Sequence, residues 1–189
     1  MQITKRIPPK LKLVADSIRA QLANDELIKL EYMPSKIDVG TDWISGIIDR
    51  SITGHFKNYN AVRVGQYKFY QCTELTEVTL FNAGPIGNNA FAQCTSLTKA
   101  NLPAATRIEA GAFGGCTNLN LINFYNPDRD SICYLASTTA LNNTPIINGD
   151  GYVVINDEKV NEMKAASNWS TLPEGVIIGN TQAAQMGLI

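Results

Sequence analysis

Three stretches of this 189-residue chain align on one another without a gap: VGQYKFYQCTELTEVTLFNAGP from Val64, IGNNAFAQCTSLTKANLPAATR from Ile86 and IEAGAFGGCTNLNLINFYNPDR from Ile108. The period is 22 residues. Six columns keep their residue type: Val64, Ile86 and Ile108; Phe69, Phe91 and Phe113; Cys72, Cys94 and Cys116; Thr73, Thr95 and Thr117; Leu75, Leu97 and Leu119; Leu80, Leu102 and Phe124. A unit this short cannot bury an apolar face alone, so the repeats must stack.

A period of this length predicts an α/β repeat fold, a short leucine-rich-repeat solenoid in which each repeat supplies one strand. Thr76, Val78 and Leu80 read as a short alternating strand, and Ala-Phe-x-x-Cys as a helical or tight turn on the other side of the coil. Phe, Cys and Leu then point inward. Four cysteines are present, and the 22-residue spacing of the first three is a structural period, not a metal-ligand or redox spacing. The column reads as buried small apolar side chains, with Cys133 outside the register.

The motif Ala-Phe-x-x-Cys-Thr-x-Leu-Thr, as in AFAQCTSLT at 90–98 and Ala112-Phe113-Gly114-Gly115-Cys116-Thr117-Asn118-Leu119, resembles the BspA-type leucine-rich repeats. The resemblance covers about residues 62–126; Lys68 departs from the usual Ala in the first repeat and Phe124-Tyr125-Asn126 from the Leu-Pro of the last. NTPIINGDGYVVINDEKVNEMKAASNWS, 143–170, resembles the C-terminal cap of such arrays, and IIDRSIT, 47–53, their lead-in. The organisation expected is an N-terminal docking or capping segment (1–60), three repeats (61–127), a C-terminal β-α cap (128–179) and a tail (180–189).

At the N-terminus, Leu11, Val14, Ala15, Ile18 and Leu22 form the stripe of one amphipathic helix after Pro8-Pro9. Ile28, Leu30 and Tyr32 alternate with Lys29 and Glu31 behind Asn24-Asp25, so that segment reads equally as a strand or a capped helix. The stripe Leu11, Val14, Ile18 and Leu22 is a candidate docking surface, or the cover of the solenoid's open end, where Trp43 and Ile44 join it. In the cap, Tyr152–Ile155 reads as a strand and Asp157 as the start of a helix to about Ala166, with Val160, Met163 and Lys164 packing back and Trp169 closing. TQAAQMGLI, without a charge, reads as a flexible tail or as a strand lent to a neighbour.

No motif for catalysis, cofactor or metal stands out. His55 is the single histidine and has no triad signature around it. Asn126, Asp128 and Asp130 alternate like the opening of a calcium loop, but Ser131 replaces the turn glycine and the bidentate acid is missing, which leaves a solvated turn. The glycines at 84–87 and 111–115 lack phosphate-loop spacing. A formal net charge of −1 gives no overall pull toward nucleic acid, and no apolar run is long enough for membrane insertion. With no export signal in the sequence as given, the chain reads as soluble and unexported.

The resemblance implies a non-enzymatic binding or structural protein. A short array behind a separate N-terminal segment fits a phage virion component, a decoration or fibre-like protein docked through residues 1–60 to other virion proteins or to its own copies. The alternatives are a bacterial cell-surface adhesion module for a host protein or glycan, and, further off, a carbohydrate-active enzyme. The candidate binding face comprises the exposed strand positions Thr76, Glu77, Thr79, Thr98, Lys99, Asn101, Asn120 and Asn123.

Overall fold

The computed structural model describes Arg50 and residues 52–189. The chain divides into two units between Ile37 and Asp38, and the described residues belong to the second. The expected helical stripe Leu11, Val14, Ile18 and Leu22, together with Trp43 and Ile44, lies outside the described residues.

Strands run in chain order as β1 (Gly54–Asn58), β2 (Leu75–Leu80), β3 (Pro85–Ile86), β4 (Lys99–Asn101), β5 (Arg107–Ile108), β6 (Leu121–Asn123), β7 (Tyr134–Leu135), β8 (Tyr152–Ile155) and β9 (Ile177–Gly179). They form two parallel sheets, a large one in the order β1-β2-β4-β6-β8-β9 and a small one in the order β3-β5-β7. Each repeat thus supplies two strands, where one was expected. The 22-residue period sets the register: Glu77 lies opposite Lys99 and Lys99 opposite Leu121 in the large sheet, as Ile86 lies opposite Ile108 in the small one. β1 continues this register one period ahead of the first aligned repeat, with His55 opposite Glu77.

Between the sheets lies the core. Phe69, Phe91 and Phe113 stack, with ring centroids 4.7 and 5.2 Å apart and planes within 10° of parallel, and Phe56 meets Phe69 edge-on at 5.2 Å. Cys72, Cys94, Cys116, Leu75, Leu97 and Leu119 are fully buried beside them. Thr76 is exposed, as expected of a position on the candidate face, and Val78 and Leu80 are buried. The pairing of β1 with β2 slips by one residue between Gly54 and His55, a bulge that turns Thr76 out to solvent while Leu75, Val78 and Leu80 stay inside.

Two left-handed backbone positions recur in every repeat. One column is Tyr67, Asn89 and Gly111, with φ of 56°, 52° and 66°; the other is Gln71, Gln93 and Gly115, with φ of 61°, 64° and 76°. These residues make the tight turns opposite the large sheet. A side chain there costs roughly 1–2 kcal/mol of backbone strain, which stacking of one turn on the next must offset: Gln71 N–H donates to the Ala92 carbonyl at 2.9 Å and Gln93 N–H to Gly114 at 2.8 Å.

The repeat then expands. Arg107 lies opposite Tyr134, 27 residues on, and Leu121 opposite Tyr152, 31 residues on. Much of the added chain forms a loop between β6 and β7, tied down by two side chains. Arg129 donates to the carbonyls of Pro103, Ala105 and Ile132, and burial lowers its guanidinium pKa from the ordinary value. Asn156, itself buried, donates to the Asn126 carbonyl at 2.8 Å and the Arg129 carbonyl at 3.3 Å. Gly115 N–H donates to Asn142 as Gln93 N–H does to Gly114, so Asn142 takes the place of Gly114 and Thr144 continues the cysteine column, buried, its hydroxyl on the Leu141 carbonyl at 2.8 Å.

A short helix α1 (Pro145–Asn148) begins on proline, whose missing N–H is no loss there, and ends at Gly149 with φ 90°. After β8 the chain makes a tight helical turn over Asp157–Lys159 and then α2 (Val160–Ala165). Met163 is buried as expected, whereas Lys164 faces solvent. Trp169 is fully buried, donates Nε1–H to the Cys133 carbonyl at 2.7 Å and meets Phe124 edge-on. Beside it the Asn168 amide donates to the Leu135 carbonyl at 2.8 Å. These two side chains take up two carbonyls on the outer edge of β7.

The segment expected as a flexible tail or lent strand forms helix α3 (Asn180–Gln185) instead. Apolar surface on the sheet explains the difference. Leu121, Val154 and Ile178 point out from the large sheet, and Ala183 and Leu188 cover them, with Tyr125 and Tyr152 alongside. The Asp157 carboxylate accepts hydrogen bonds from the Thr181 N–H and hydroxyl, and the Asn180 side chain accepts from the Asp157 N–H at 2.9 Å, which locks the start of α3 to the end of β8.

Candidate binding face

The outer surface of the large sheet has two halves. Over β6, β8 and β9 it is apolar and covered by α3. Over β1, β2, β4 and the end of β6 it is polar, and its side chains form one hydrogen-bonded ladder across four strands. His55 Nδ1 stands 3.4 Å from Glu77 Oε2, and His55 Nε2 2.9 Å from the Thr79 hydroxyl. The Asn101 amide donates to Glu77 Oε1 at 2.8 Å and to Thr79 at 3.1 Å, and Asn123 donates to Asn101 Oδ1 at 3.4 Å. Asn123 in turn accepts from the Tyr125 N–H at 2.9 Å, which ends the ladder.

This register follows from the repeat. Side chains 22 residues apart sit on adjacent strands in the same orientation, close enough to bond directly. Of the residues expected on the face, Glu77, Thr79, Asn101 and Asn123 meet in the ladder, with Thr79 only 6% exposed. Thr76, Thr98 and Asn120 form a separate exposed column at the strand starts, joined by the Thr98 hydroxyl donating to the Thr76 carbonyl at 3.0 Å. Lys99 is drawn aside: its ammonium donates to the Leu188 carbonyl at 3.1 Å, at the edge of the apolar half. His55, set aside in the sequence as a lone histidine, belongs to the ladder, and counting one period back from Glu77 would have placed it there.

The cysteine column is fully buried. Cys94 and Cys116 donate their thiols to the carbonyls of Phe69 and Phe91, and all four cysteines are buried, none of them in a disulfide. The thiol of Cys94 is pushed well above its ordinary pKa, first by its neighbour Cys116 and then by burial; burial pushes Cys133 up to about 12. Two of the alternating residues, Asn126 and Asp130, use their side chains in local contacts. Asn126 accepts from the Asp128 N–H within its own turn, and Asp130 pairs with Lys159 at 2.7 Å, which holds the Asp130 carboxyl below the usual range. Among the described residues no helix is long and apolar enough to cross a membrane.

Comparison with curated proteins gives no match, nor does comparison with solved structures. The family described as "BspA type Leucine rich repeat region (6 copies)" matches residues 51–148, just over half of the chain. Its limits run from the residues leading into β1 to the end of α1, beyond the span over which the motif is legible by eye. With the 22-residue register, the parallel sheets and the buried Phe, Cys and Leu columns, this match places the chain in the BspA-type leucine-rich repeat family.

Proposed function

We propose that the stacked repeats are a short leucine-rich-repeat solenoid acting as a protein-binding or adhesion module, without catalysis, through the polar half of the large sheet. The observation that carries this reading is the ladder from His55 to Asn123: a surface rich in donors and acceptors that no other described residue covers, beside an apolar half that the chain covers with its own α3. Sheet faces of stacked repeats suit extended partners because their outward positions vary without disturbing the core. The flanking column of Thr76, Thr98 and Asn120 widens the surface.

The test is binding of the full chain to a panel of immobilised extracellular and cell-surface proteins, compared with the double variant Glu77→Ala/Asn101→Ala and the control Arg107→Ala on the small sheet. The expected result is at least one partner whose binding falls tenfold or more in the double variant and is unchanged in the control. Equal binding by the double variant would overturn the assignment of the face.

The resemblance to short arrays supports a second, finer part of the proposal, a virion structural or decoration role with residues 1–60 as the docking segment. Mass spectrometry of intact particles tests it: detection at high copy supports it, and recovery from cell-surface fractions alone sinks it in favour of surface adhesion.

A further inference from the structure

On the side of the molecule that carries the left-handed turns, three columns of side chains shrink and then grow again along the stack. Tyr67, Asn89, Gly111 and Thr139 follow one another in one column; Tyr70, Ala92, Gly114 and Asn142 in the next; Gln71, Gln93, Gly115 and Asn143 in the third. Every residue of the third repeat in these columns is glycine, so the stack is notched there. The result is a groove of about 480 Å3 with the tyrosines at one end and Thr139, Asn142 and Asn143 at the other. A separate groove of about 490 Å3 also has Asn143 in its lining, with Asn118, Asn120 and Asn148.

The floor is built rather than left over. Asn89 and Gln93 lay their amides over Gly111 and Gly115, occupying the places where side-chain carbons would otherwise stand. At the aromatic end Tyr67, half exposed, meets Tyr70 edge-on at 5.5 Å. The first groove has no charged residue in its lining, and Asp150 is the single charge in the second.

That chemistry selects a ligand class. A phosphate or acidic ligand needs cations, a basic peptide needs carboxylates, and a lipid needs an apolar floor; none of these lines the groove. Neutral sugars present an apolar C–H face that packs on an aromatic ring and hydroxyls that both donate and accept, which matches amides carrying a donor and an acceptor each. Four stacked repeats at about 4.8 Å per step span about 14 Å, the reach of a short oligosaccharide. We propose that the groove from Tyr67 to Asn143 is a binding site for a neutral oligosaccharide, distinct from the strand face assigned above.

The test is titration of the full chain with uncharged oligosaccharides (cello-, malto- and chito-oligosaccharides of up to six units), followed by tyrosine fluorescence and calorimetry, with an oligogalacturonate as charged comparison. At least one neutral series is expected to bind with a Kd between micromolar and low millimolar. Tyr67→Ala and Gln93→Ala each weaken it tenfold or more at unchanged Tm, Tyr67→Phe restores most of the affinity, and Glu77→Ala/Asn101→Ala leaves it unaltered. Absence of binding in every neutral series at 10 mM, preference for the charged oligomer, or full affinity in Tyr67→Ala would each overturn the proposal. Because the strand-face variant is a control here, failure of this site and failure of the strand face are separately visible.

Discussion

The thiol of Cys94 donates to the backbone carbonyl of Phe69, 2.9 Å away and one repeat earlier, and the same bond recurs between Cys116 and Phe91 at 3.0 Å. The column is therefore a stitch between neighbouring turns, and within it the Cys94 thiol is held protonated. A thiol reagent at neutral pH is expected to leave all four cysteines unmodified in the folded chain and to titrate four in denaturant. Rapid labelling of Cys94 or Cys116 in the native state would contradict this.

Alkaline stability follows from the same burial. Cys133 has its pKa raised from 9.0 to about 12 in the folded chain, so the unfolded state loses the proton first. The contribution of a neutral, buried Cys133 is whole below about pH 9 and is lost as pH rises from there toward about 12. Equilibrium unfolding from pH 8 to 11 is expected to show declining stability, and Cys133→Ala should flatten that decline.

Phe91 is stacked on both sides, between Phe69 and Phe113. Phe91→Ala is expected to cost about 3–5 kcal/mol, the range for deleting a buried ring. Phe81, 38% exposed and stacked on Tyr59, should cost well under half as much when changed to Ala. Urea unfolding of the two variants, read as a change in midpoint, checks the ranking.

Glycine substitutions separate backbone requirement from mere occupancy. Gly111 has φ 66° and the Asn89 side chain lies against it, whereas the space around Gly65 is open. Gly111→Ala is expected to destabilise by about 1–2 kcal/mol; Gly65→Ala is expected to be neutral or to stabilise slightly by narrowing the unfolded ensemble. Thermal melts of the pair suffice, and equal Tm values would refute the assigned turn geometry.

Removal of residues 180–189 uncovers Leu121, Val154 and Ile178 on the large sheet. The truncated chain is expected to bind a hydrophobic dye that the full chain does not, and to lose stability, since roughly 25 cal/mol is forfeited for each Å2 of apolar surface returned to water. A truncation that neither melts earlier nor binds dye would show that α3 is not a cover.

Most of the repeat architecture is legible because six columns in register leave few alternatives, and the burial of Phe69, Cys94 and Leu97 is stated by their spacing alone. What escapes the eye depends on backbone or on distance. The second strand of each repeat is only two residues long, too short for an alternation to show. The bulge at Thr76, where the pairing of β1 with β2 slips by one residue, leaves no mark in the residue pattern. Helix α3 has no stripe strong enough to announce itself, because Ala183 and Leu188 gain their meaning from the apolar patch that three other strands assemble beneath them. His55 and Tyr67 were both within reach of the 22-residue count, one projected back from Glu77 and the other lying inside the first repeat, yet neither carries a motif of its own.

Asn168 and Trp169 occupy the Leu135 and Cys133 carbonyls at the free edge of the small sheet, and this makes the number of repeats a property of the cap. Another strand added at this edge, whether from a second molecule or from a duplicated unit, would have to displace both side chains from the carbonyls they hold. A 22-residue duplication within the regular stretch would lengthen both the strand ladder and the turn groove by one step and leave this terminus intact. The same duplication downstream of Phe124 would separate the terminator from the edge it serves, so growth of such an array is expected to proceed from its interior.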